Sequence, residues 1–216
     1  MNLKPLAENI WVYEQPHHLA GVNIGARMTI VRTGDQLWLH SPIDAGMLHD
    51  EIAALGKVCA VVAPNVGHYM GLQEAAEIFP DAEAFAVPDI AKKFELDARL
   101  PEFSANEELH ARRIRGSRIF DETVFLHAPS KTLVLTDLCM NLRRLSRRER
   151  VLARLFGIPP RFGVSRLERF LMRDRAVIHC AAQDILAWDF DRVIVSHGDI
   201  IERDGKAILR QALRRL

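Results

Sequence analysis

Residues 50–88 alternate between helical and strand patterns and indicate the fold class. In chain order, the four segments are DEIAALG (50–56), VCAVVAP (58–64), GLQEAAEIFP (71–80) and AEAFAVP (82–88). The first and third predict helices, whereas the second and fourth are short and apolar and predict buried strands. Such alternation is typical of α/β proteins, in which helices cover the faces of a sheet.

Further strand and helix patterns lie on both sides of this stretch. The strand patterns are NIWVYEQ (9–15), RMTIVRT (27–33), QLWLHSPI (36–43), ETVFLHA (122–128), KTLVLTD (131–137) and FDRVIVSHG (190–198). Helices are predicted over 174–188 and 206–216, and two more within 142–175, broken near Gly157, Pro159 and Pro160. Residues 90–118 are polar and weakly periodic. This order predicts an α/β protein of the αββα sandwich type, with two mixed sheets flanked by helices in a single domain over residues 1–216.

The composition is that of a globular protein. With 216 residues, 49% hydrophobic and 26% charged, the chain falls outside the disordered, collagen-like and low-complexity classes. No window approaches the roughly 18 consecutive apolar residues of a membrane-spanning helix, and the first residues lack the pattern of a secretion signal, so we expect a cytoplasmic protein. The three cysteines, Cys59, Cys139 and Cys180, have no CxxC spacing and predict neither a disulfide framework nor a cysteine-rich zinc site.

Three apolar runs each end in a polar side chain that suits a metal ion. VVAPNVGH ends at His68, TLVLTD at Asp137 and RVIVSH at His197. In layered α/β folds, ligands gather at the loops beyond the strand ends. Two imidazoles and one carboxylate suit a divalent metal such as zinc and leave a coordination position for water. The pattern therefore predicts a catalytic single-metal site, with Asp137 also a candidate for the chemistry.

Each of these residues also has an ordinary structural interpretation. His68 would then satisfy a loop or cap a helix start, Asp137 would be a helix N-cap, and His197 would mark a turn. Two nearby residues are further catalytic candidates: Asn65 could hydrogen-bond a water or a substrate oxygen, and His127 could approach Asp137 from the preceding strand. Their alternative role is hydrogen bonding within loops.

Several segments resemble the metallo-β-lactamase superfamily. Residues 68–80 resemble the helix that follows the last histidine of its HxHxDH motif. Residues 131–137 resemble the strand that carries its metal-bridging aspartate, and residues 192–199 the strand that carries its final histidine. RMTIV, APNVGHY and ILAWDFDRVIVSHGD are more closely similar to an uncharacterised branch, a bacterial and plant domain of unknown function. The resemblance implies the αββα fold and a metal-dependent hydrolase.

The sequence departs from that motif in ways that reduce the implied metal site. The motif positions are occupied by Ala63, Asn65, Gly67 and His68. The middle histidine of the first metal site falls near Arg118 or Ile119, neither of which is a ligand. The second site survives as His68, Asp137 and His197, with Gly67 replacing its aspartate. The resemblance therefore implies one divalent ion (Zn, Mn or Fe) and hydrolysis of an unknown small molecule. The alternative is a metal-free relative that binds a ligand or partner.

Residues 142–175 form a strongly basic segment. They contain eleven arginines and carry a net charge of +8, which leaves −7 for the rest of the chain. Apolar residues recur at helical spacing and predict an amphipathic basic helix: Leu142, Leu145, Val151 or Leu152, and Leu155. One interpretation is a solvated helix packed on the core through its leucines, inserted into the domain. The others are attraction of an anionic substrate, or binding of an anionic membrane surface or an acidic partner through Arg143, Arg144, Arg147 and Arg148. Nucleic acid is disfavoured, because no nucleic-acid-binding motif is present.

Overall fold

The computed structural model describes residues 2–95, 107–117, 121–159 and 161–214. The chain divides into two compact units, one of Met1–Glu14 with Arg27–Pro101 and the other of Gln15–Ala26 with Glu102–Leu216. This division does not test the single domain with a basic insertion at 142–175, which stays a prediction. Within the described ranges, no helix is both long enough and apolar enough to cross a membrane.

The elements of the two units alternate along the chain. The strands are β1 (Lys4–Ala7), β2 (Ile10–Gln15), β3 (His18–Leu19), β4 (Val22–Asn23), β5 (Ala26–Thr33), β6 (Gln36–His40), β7 (Lys57–Ala63), β8 (Glu83–Ala86), β9 (Leu109–Ile114), β10 (Glu122–His127), β11 (Thr132–Val134) and β12 (Arg192–Ile194). The helices are α1 (His49–Ala53), α2 (Leu72–Ile78), α3 (Pro88–Lys93), α4 (Arg147–Leu155), α5 (Arg166–Leu171), α6 (Arg175–Ala187) and α7 (Gly205–Leu213).

The first unit is a six-stranded mixed sheet with three helices. Its strand order is β1-β2-β5-β6-β7-β8, in which β5 and β6 are antiparallel while β6, β7 and β8 run parallel. Ile30, Leu39 and Val61, on three neighbouring strands, are fully buried. The helix and strand patterns of residues 50–88 are confirmed as α1, β7, α2 and β8. The parallel strands place the carboxyl ends of β6 and β7 at one edge of this sheet.

The second unit contains a four-stranded mixed sheet in the order β12-β11-β10-β9. Strand β10 is antiparallel to both neighbours, whereas β11 and β12 are parallel. The helices α6 and α7 bury Ile178, Ile185 and Leu209 in the same apolar cluster as Leu133 and Val193 of the sheet. Strand β9 lies in the stretch where no element was predicted, because charged residues inside LHARRI interrupt its alternation of buried and exposed positions.

The basic segment forms the two helices that are predicted within 142–175, as α4 and α5. Helix α4 begins after Ser146, since Ser146 and Glu149 form a reciprocal capping box there. The expectation that the leucines pack this helix on the core is wrong for its last turn, because Leu155 is 76% exposed. The predicted break is confirmed at Gly157, which has φ +72°, and a Cβ there would lie 2.6 Å from Cβ of Arg166. Gly157 thus lets the start of α5 approach the end of α4 closely.

Candidate functional site

The structure of the second unit brings Asp137 and His197 together. Strands β11 and β12 run parallel, so the residues that follow them leave the sheet at the same edge. His197 Nε2 lies 3.2 Å from Asp137 Oδ1, and each side chain is only 8% exposed. Two of the three predicted ligands therefore form a nearly buried imidazole–carboxylate pair, whose residue types suit a metal ion.

The orientation of the His197 ring is fixed by a backbone carbonyl. Its Nδ1 lies 2.6 Å from the carbonyl oxygen of Gly25, which can only accept, so Nδ1 carries a proton and donates it. In a neutral ring, Nε2 then presents a lone pair toward the Asp137 oxygen. Two lone pairs at this separation repel unless a positive charge is present, either a proton on the ring or a metal ion. A histidine that binds a metal typically donates its other ring N–H in this way.

The loop that supplies this carbonyl is itself held by hydrogen bonds. The N–H groups of Ile24 and Gly25 donate to the carbonyl of His17, at 2.8 and 3.2 Å. The His17 ring stacks on that of His197, with 6.4 Å between the ring centroids. Gly25 has φ +69°, a conformation that favours glycine. No sequence motif marks His17 or Gly25, and the prediction missed both.

A buried carboxylate holds the loop that carries Asp137. Glu122 Oε1 accepts the N–H of Thr136 at 3.0 Å, and Oε2 accepts those of Asp137 and Leu138 at 2.8 and 2.7 Å. Burial raises the pKa of Glu122 and the Asp137 charge raises it further, whereas the backbone N–H donors oppose the shift. The prediction missed Glu122, although Phe125 pairs with Val134 in the antiparallel register, which places Glu122 opposite the Asp137 loop.

Asn141 ties the Asp137 loop to the His197 loop. Its N–H donates to the carbonyl of His197 at 3.1 Å, and its carbonyl accepts the N–H of Asp199 at 2.9 Å. Its side-chain amide donates to the Asp199 carbonyl at 2.7 Å. Gly198, between these two partners, has φ +90°. The two loops are thus joined by backbone contacts, which no pattern of residue types indicates.

The sheet does not bring His127 to Asp137. In the antiparallel pair, His127 lies opposite Thr132, at the other end of β10 from Glu122. Asp137 is five positions beyond Thr132, about 16 Å along an extended chain. His127 Nδ1 instead contacts Ser130 Oγ at 2.7 Å in the β10–β11 turn. The antiparallel pairing of β10 with β11 accounts for this position, and the catalytic role of His127 stays a prediction.

In the first unit, His68 lies in a loop organised by Asn65. Asn65 Oδ1 accepts the N–H groups of Gly67 and His68, at 2.8 and 3.0 Å. His68 Nδ1 lies 2.6 Å from Ser41 Oγ at the end of β6. Asn65 thus performs the loop hydrogen bonding that was its alternative role, and its catalytic role stays a prediction. Burial, with a smaller contribution from His68, lowers the pKa of His40 to about 3, so His40 is a neutral imidazole.

The remaining motif positions add no ligand among the described residues. Ala63 ends β7 with a fully buried methyl group. Gly67 contributes only backbone. Arg118 and Ile119, near which the middle histidine of the first metal site was sought, lie outside the described residues.

Glu168 should make stability fall as the pH rises. Burial, with nearby Glu122 and Asp137, raises its pKa from 4.5 to about 8. Between these pH values the folded state keeps a proton that the unfolded state has lost, so the free energy of unfolding decreases. Glu168→Gln has no proton to lose and should not show this decrease. We therefore expect the free energy of unfolding of the variant, relative to that of wild type, to be higher at ~pH 9 than at ~pH 5 by up to a few kcal/mol.

Urea denaturation with a metal chelator present measures this difference. Glu107→Gln, on an exposed side chain, is the control. An advantage of Glu168→Gln that is equal at both pH values would contradict the assignment.

Known proteins resemble this chain in sequence over residues 7–105 and in structure over nearly its whole length. The profile of a domain of unknown function (DUF4336) matches residues 7–105. No curated protein matches the chain. Among solved structures, a metallo-β-lactamase from Hirschia baltica is 16% identical, with a TM-score of 0.67, covering 98% of this chain and 95% of that one. A metallo-β-lactamase from Pontibacter korlensis is 13% identical, with a TM-score of 0.68 and 99% of both chains covered.

A third similar structure was solved with a single metal ion. The metallo-β-lactamase FIM-1 from Pseudomonas aeruginosa, in its mono-zinc form, is 14% identical with a TM-score of 0.67, and the match covers 99% of this chain and 94% of that one. Sequence identities at this level carry the fold and not the activity. The two mixed sheets with their helices and these similarities confirm the predicted fold class: the chain has a metallo-β-lactamase fold.

Proposed function

We propose that this protein is a mononuclear metal-dependent hydrolase in which His68, Asp137 and His197 bind one divalent ion. The observation that carries the proposal is the Asp137–His197 pair, with Nε2 3.2 Å from a carboxylate oxygen and Nδ1 committed to the Gly25 carbonyl. This arrangement presents two ligand atoms of the types that zinc, manganese and iron accept. When bound, such an ion polarises a substrate carbonyl or phosphoryl oxygen and lowers the pKa of water.

The residues around the ligands have separate roles in this proposal. The Gly25 carbonyl fixes the tautomer of His197, so that Nε2 faces the ion. Glu122 holds the backbone on both sides of Asp137 and thereby sets the direction of its carboxylate. Ser41 and Asn65 do the same for His68, through its ring and its backbone N–H. Such supporting contacts commonly change metal affinity by about 10- to 100-fold. The proposal also includes a site reduced to one ion, because Ala63, Asn65 and Gly67 occupy motif positions that hold ligands in the superfamily.

We propose an anionic small molecule as the substrate class. Two arginines contact residues next to the Asp137–His197 pair. Arg143 donates a hydrogen bond to Asn141 Oδ1 at 3.2 Å, and Arg144 forms an ion pair with Asp199 at 3.3 Å. The Asp199 carboxylate offsets the charge of Arg144, whereas Arg143 has an uncharged partner and keeps its positive charge beside the pair. Fixed positive charge raises the local concentration of anionic substrates and favours their binding.

Metal content measured on purified protein tests this function. Protein loaded separately with Zn²⁺, Mn²⁺ and Fe²⁺, then dialysed, should retain about one ion per chain, as a single ligand set implies. We expect His68→Ala, Asp137→Asn and His197→Ala each to weaken binding by about 100-fold or more, because each removes a ligand. Elemental analysis and competition with a chromogenic chelator give both quantities.

Variants at an exposed histidine control for nonspecific binding. His179→Ala, on the outer side of α6, should retain the ion as wild type does. Wild-type protein without bound metal under all three loading conditions would refute the proposal. Undiminished binding by His68→Ala, with loss in the other two variants, would remove His68 from the ligand set.

The alternative function is metal-free ligand or partner binding. The same 3.2 Å separation that suits two ligands also suits a direct ion pair between protonated His197 and Asp137. In that case His197→Ala should leave a buried carboxylate without its partner and lower stability, yet change no metal content. Measuring the stability and the metal content of this one variant therefore separates the two functions.

A further inference from the structure

Four arginines surround a cavity formed by α4 and the chain on both sides of it. The cavity has a volume of about 600 Å³ and is lined by Arg143, Arg150, Arg154 and Arg161 together with Leu142, Leu145, Ala153 and Ile158. Among the residues that the structure describes, Arg143 and Arg150 donate to uncharged oxygens, those of Asn141 and Leu145. Within the described part of the chain, none of these four guanidinium groups forms an ion pair. The cavity therefore has an apolar floor and a positively charged rim.

Large apolar side chains of α4, its C-cap residue and α5 are also exposed. They are Val151, Leu155 and Phe156 at the end of α4, and Leu167 and Phe170 on α5. Leu155 is 76% exposed and Phe170 82%. Val151 and Leu155 follow Arg150 and Arg154 by one position each, about 100° around the helix, so charged and apolar stripes are adjacent. We call the rim arginines and these five apolar residues the α4–α5 face.

The two helices of this face are held together at their junction. Arg166 N–H, at the start of α5, donates to the carbonyl of Gly157 at 2.8 Å. Serine caps satisfy the first turn of each helix, since Ser146 accepts the N–H of Glu149 and Ser165 that of Glu168. Helix α4 also contacts the loop 15–26, because Glu149 Oε1 accepts the N–H of Asn23 at 3.1 Å. The exposed apolar side chains are thus presented from an ordered surface.

We propose that the α4–α5 face docks on an anionic lipid membrane, with lipid phosphates at the arginine rim and the apolar side chains inserted among the acyl chains. Charge complementarity favours an anionic partner, since residues 142–175 carry a net charge of +8. An acidic peptide or a nucleic acid would meet the arginines but would leave Val151, Leu155 and Leu167 in water. A lipid interface takes both kinds of group at once, because its phosphates and its hydrocarbon lie a few ångströms apart.

Cosedimentation with vesicles tests the proposal. Wild-type protein should bind vesicles of phosphatidylglycerol and phosphatidylcholine but not pure phosphatidylcholine, and binding should weaken between about 50 and 300 mM salt. Arg150→Gln/Arg154→Gln should lower the partition coefficient by roughly tenfold or more, because two charges at the surface are lost. Leu155→Ser/Phe170→Ser should lower it by roughly tenfold as well, since the inserted area is lost.

Matched controls and competing ligands make each outcome decisive. Arg203→Gln/Arg210→Gln removes two exposed arginines elsewhere and should bind as wild type does. Circular dichroism verifies that every variant is folded. Absence of binding at low salt, or an equal loss in the control, would overturn the proposal. So would unchanged binding by Leu155→Ser/Phe170→Ser, which would leave charge attraction alone, or tighter binding to polyglutamate or an oligonucleotide than to vesicles.

Discussion

Replacing Glu122 by alanine should lower the free energy of unfolding by about 3 kcal/mol or more. The carboxylate accepts three backbone N–H groups, those of Thr136, Asp137 and Leu138, and is almost completely buried. Leaving a buried donor unsatisfied costs about 1–3 kcal/mol, and alanine supplies no acceptor for any of the three. The loop that carries Asp137 would lose its support, so affinity for the proposed metal ion should fall with stability.

Urea denaturation of Glu122→Ala and Glu122→Gln measures this effect. The amide of glutamine retains one oxygen but turns an NH₂ group toward a backbone donor, so we expect an intermediate loss. The control is Glu107→Ala, which removes an exposed glutamate and should change stability by less than about 0.5 kcal/mol. A Glu122→Ala variant as stable as this control would show that water replaces the carboxylate without cost.

Gly198→Ala should destabilise the protein by about 3 kcal/mol or more. A Cβ at Gly198 would lie 2.3 Å from the carbonyl oxygen of Asn141 and 2.5 Å from its carbonyl carbon, and both are backbone atoms. The residue also has φ +90°, which is unfavourable for any side chain. Relief requires the Asn141 backbone to move away from the His197 loop, against the hydrogen bonds that join them.

Gly34→Ala separates the two contributions to this loss. Gly34 has φ +58°, but a Cβ there would meet no atom within 4 Å, so its substitution costs only the backbone conformation, about 1 kcal/mol. Thermal or urea denaturation of both variants gives the steric share as the difference. Equal losses in Gly198→Ala and Gly34→Ala would contradict the predicted overlap with Asn141.

The sequence predicted the fold class, and it named two candidate residues that the structure brings together, for one physical reason. Buried parallel strands are short apolar runs, and their carboxyl ends share an edge, so a polar residue at each end is a site candidate. Asp137 and His197 satisfy this rule, and their contact follows from the β11–β12 pairing. His127 fails it, because its strand runs in the opposite direction.

The residues that support the site could not be predicted because their contacts depend on register and loop path. Glu122 reaches the Asp137 loop only in the observed antiparallel register. Asn141 and Gly25 act through backbone atoms, which every residue type possesses. The charge of the α4–α5 face was anticipated from the sequence. Its apolar side was not, because the helical spacing was counted from Leu142 and Leu145. Both residues precede the capping box at Ser146, where α4 begins, and Leu155 is exposed.

The parallel pairing of β11 with β12 also has a consequence for the biosynthesis of the chain. Val134 and Ile194 are register partners 60 positions apart. At translation rates of about 5–20 residues per second, β11 emerges several seconds before its partner and meanwhile presents an apolar, unpaired edge. Residues 142–175 emerge during that interval and bring a net charge of +8. This charge cancels the −7 of residues 1–141, so the emerged chain becomes nearly neutral and charge repulsion no longer opposes edge-to-edge aggregation of β11 before β12 arrives.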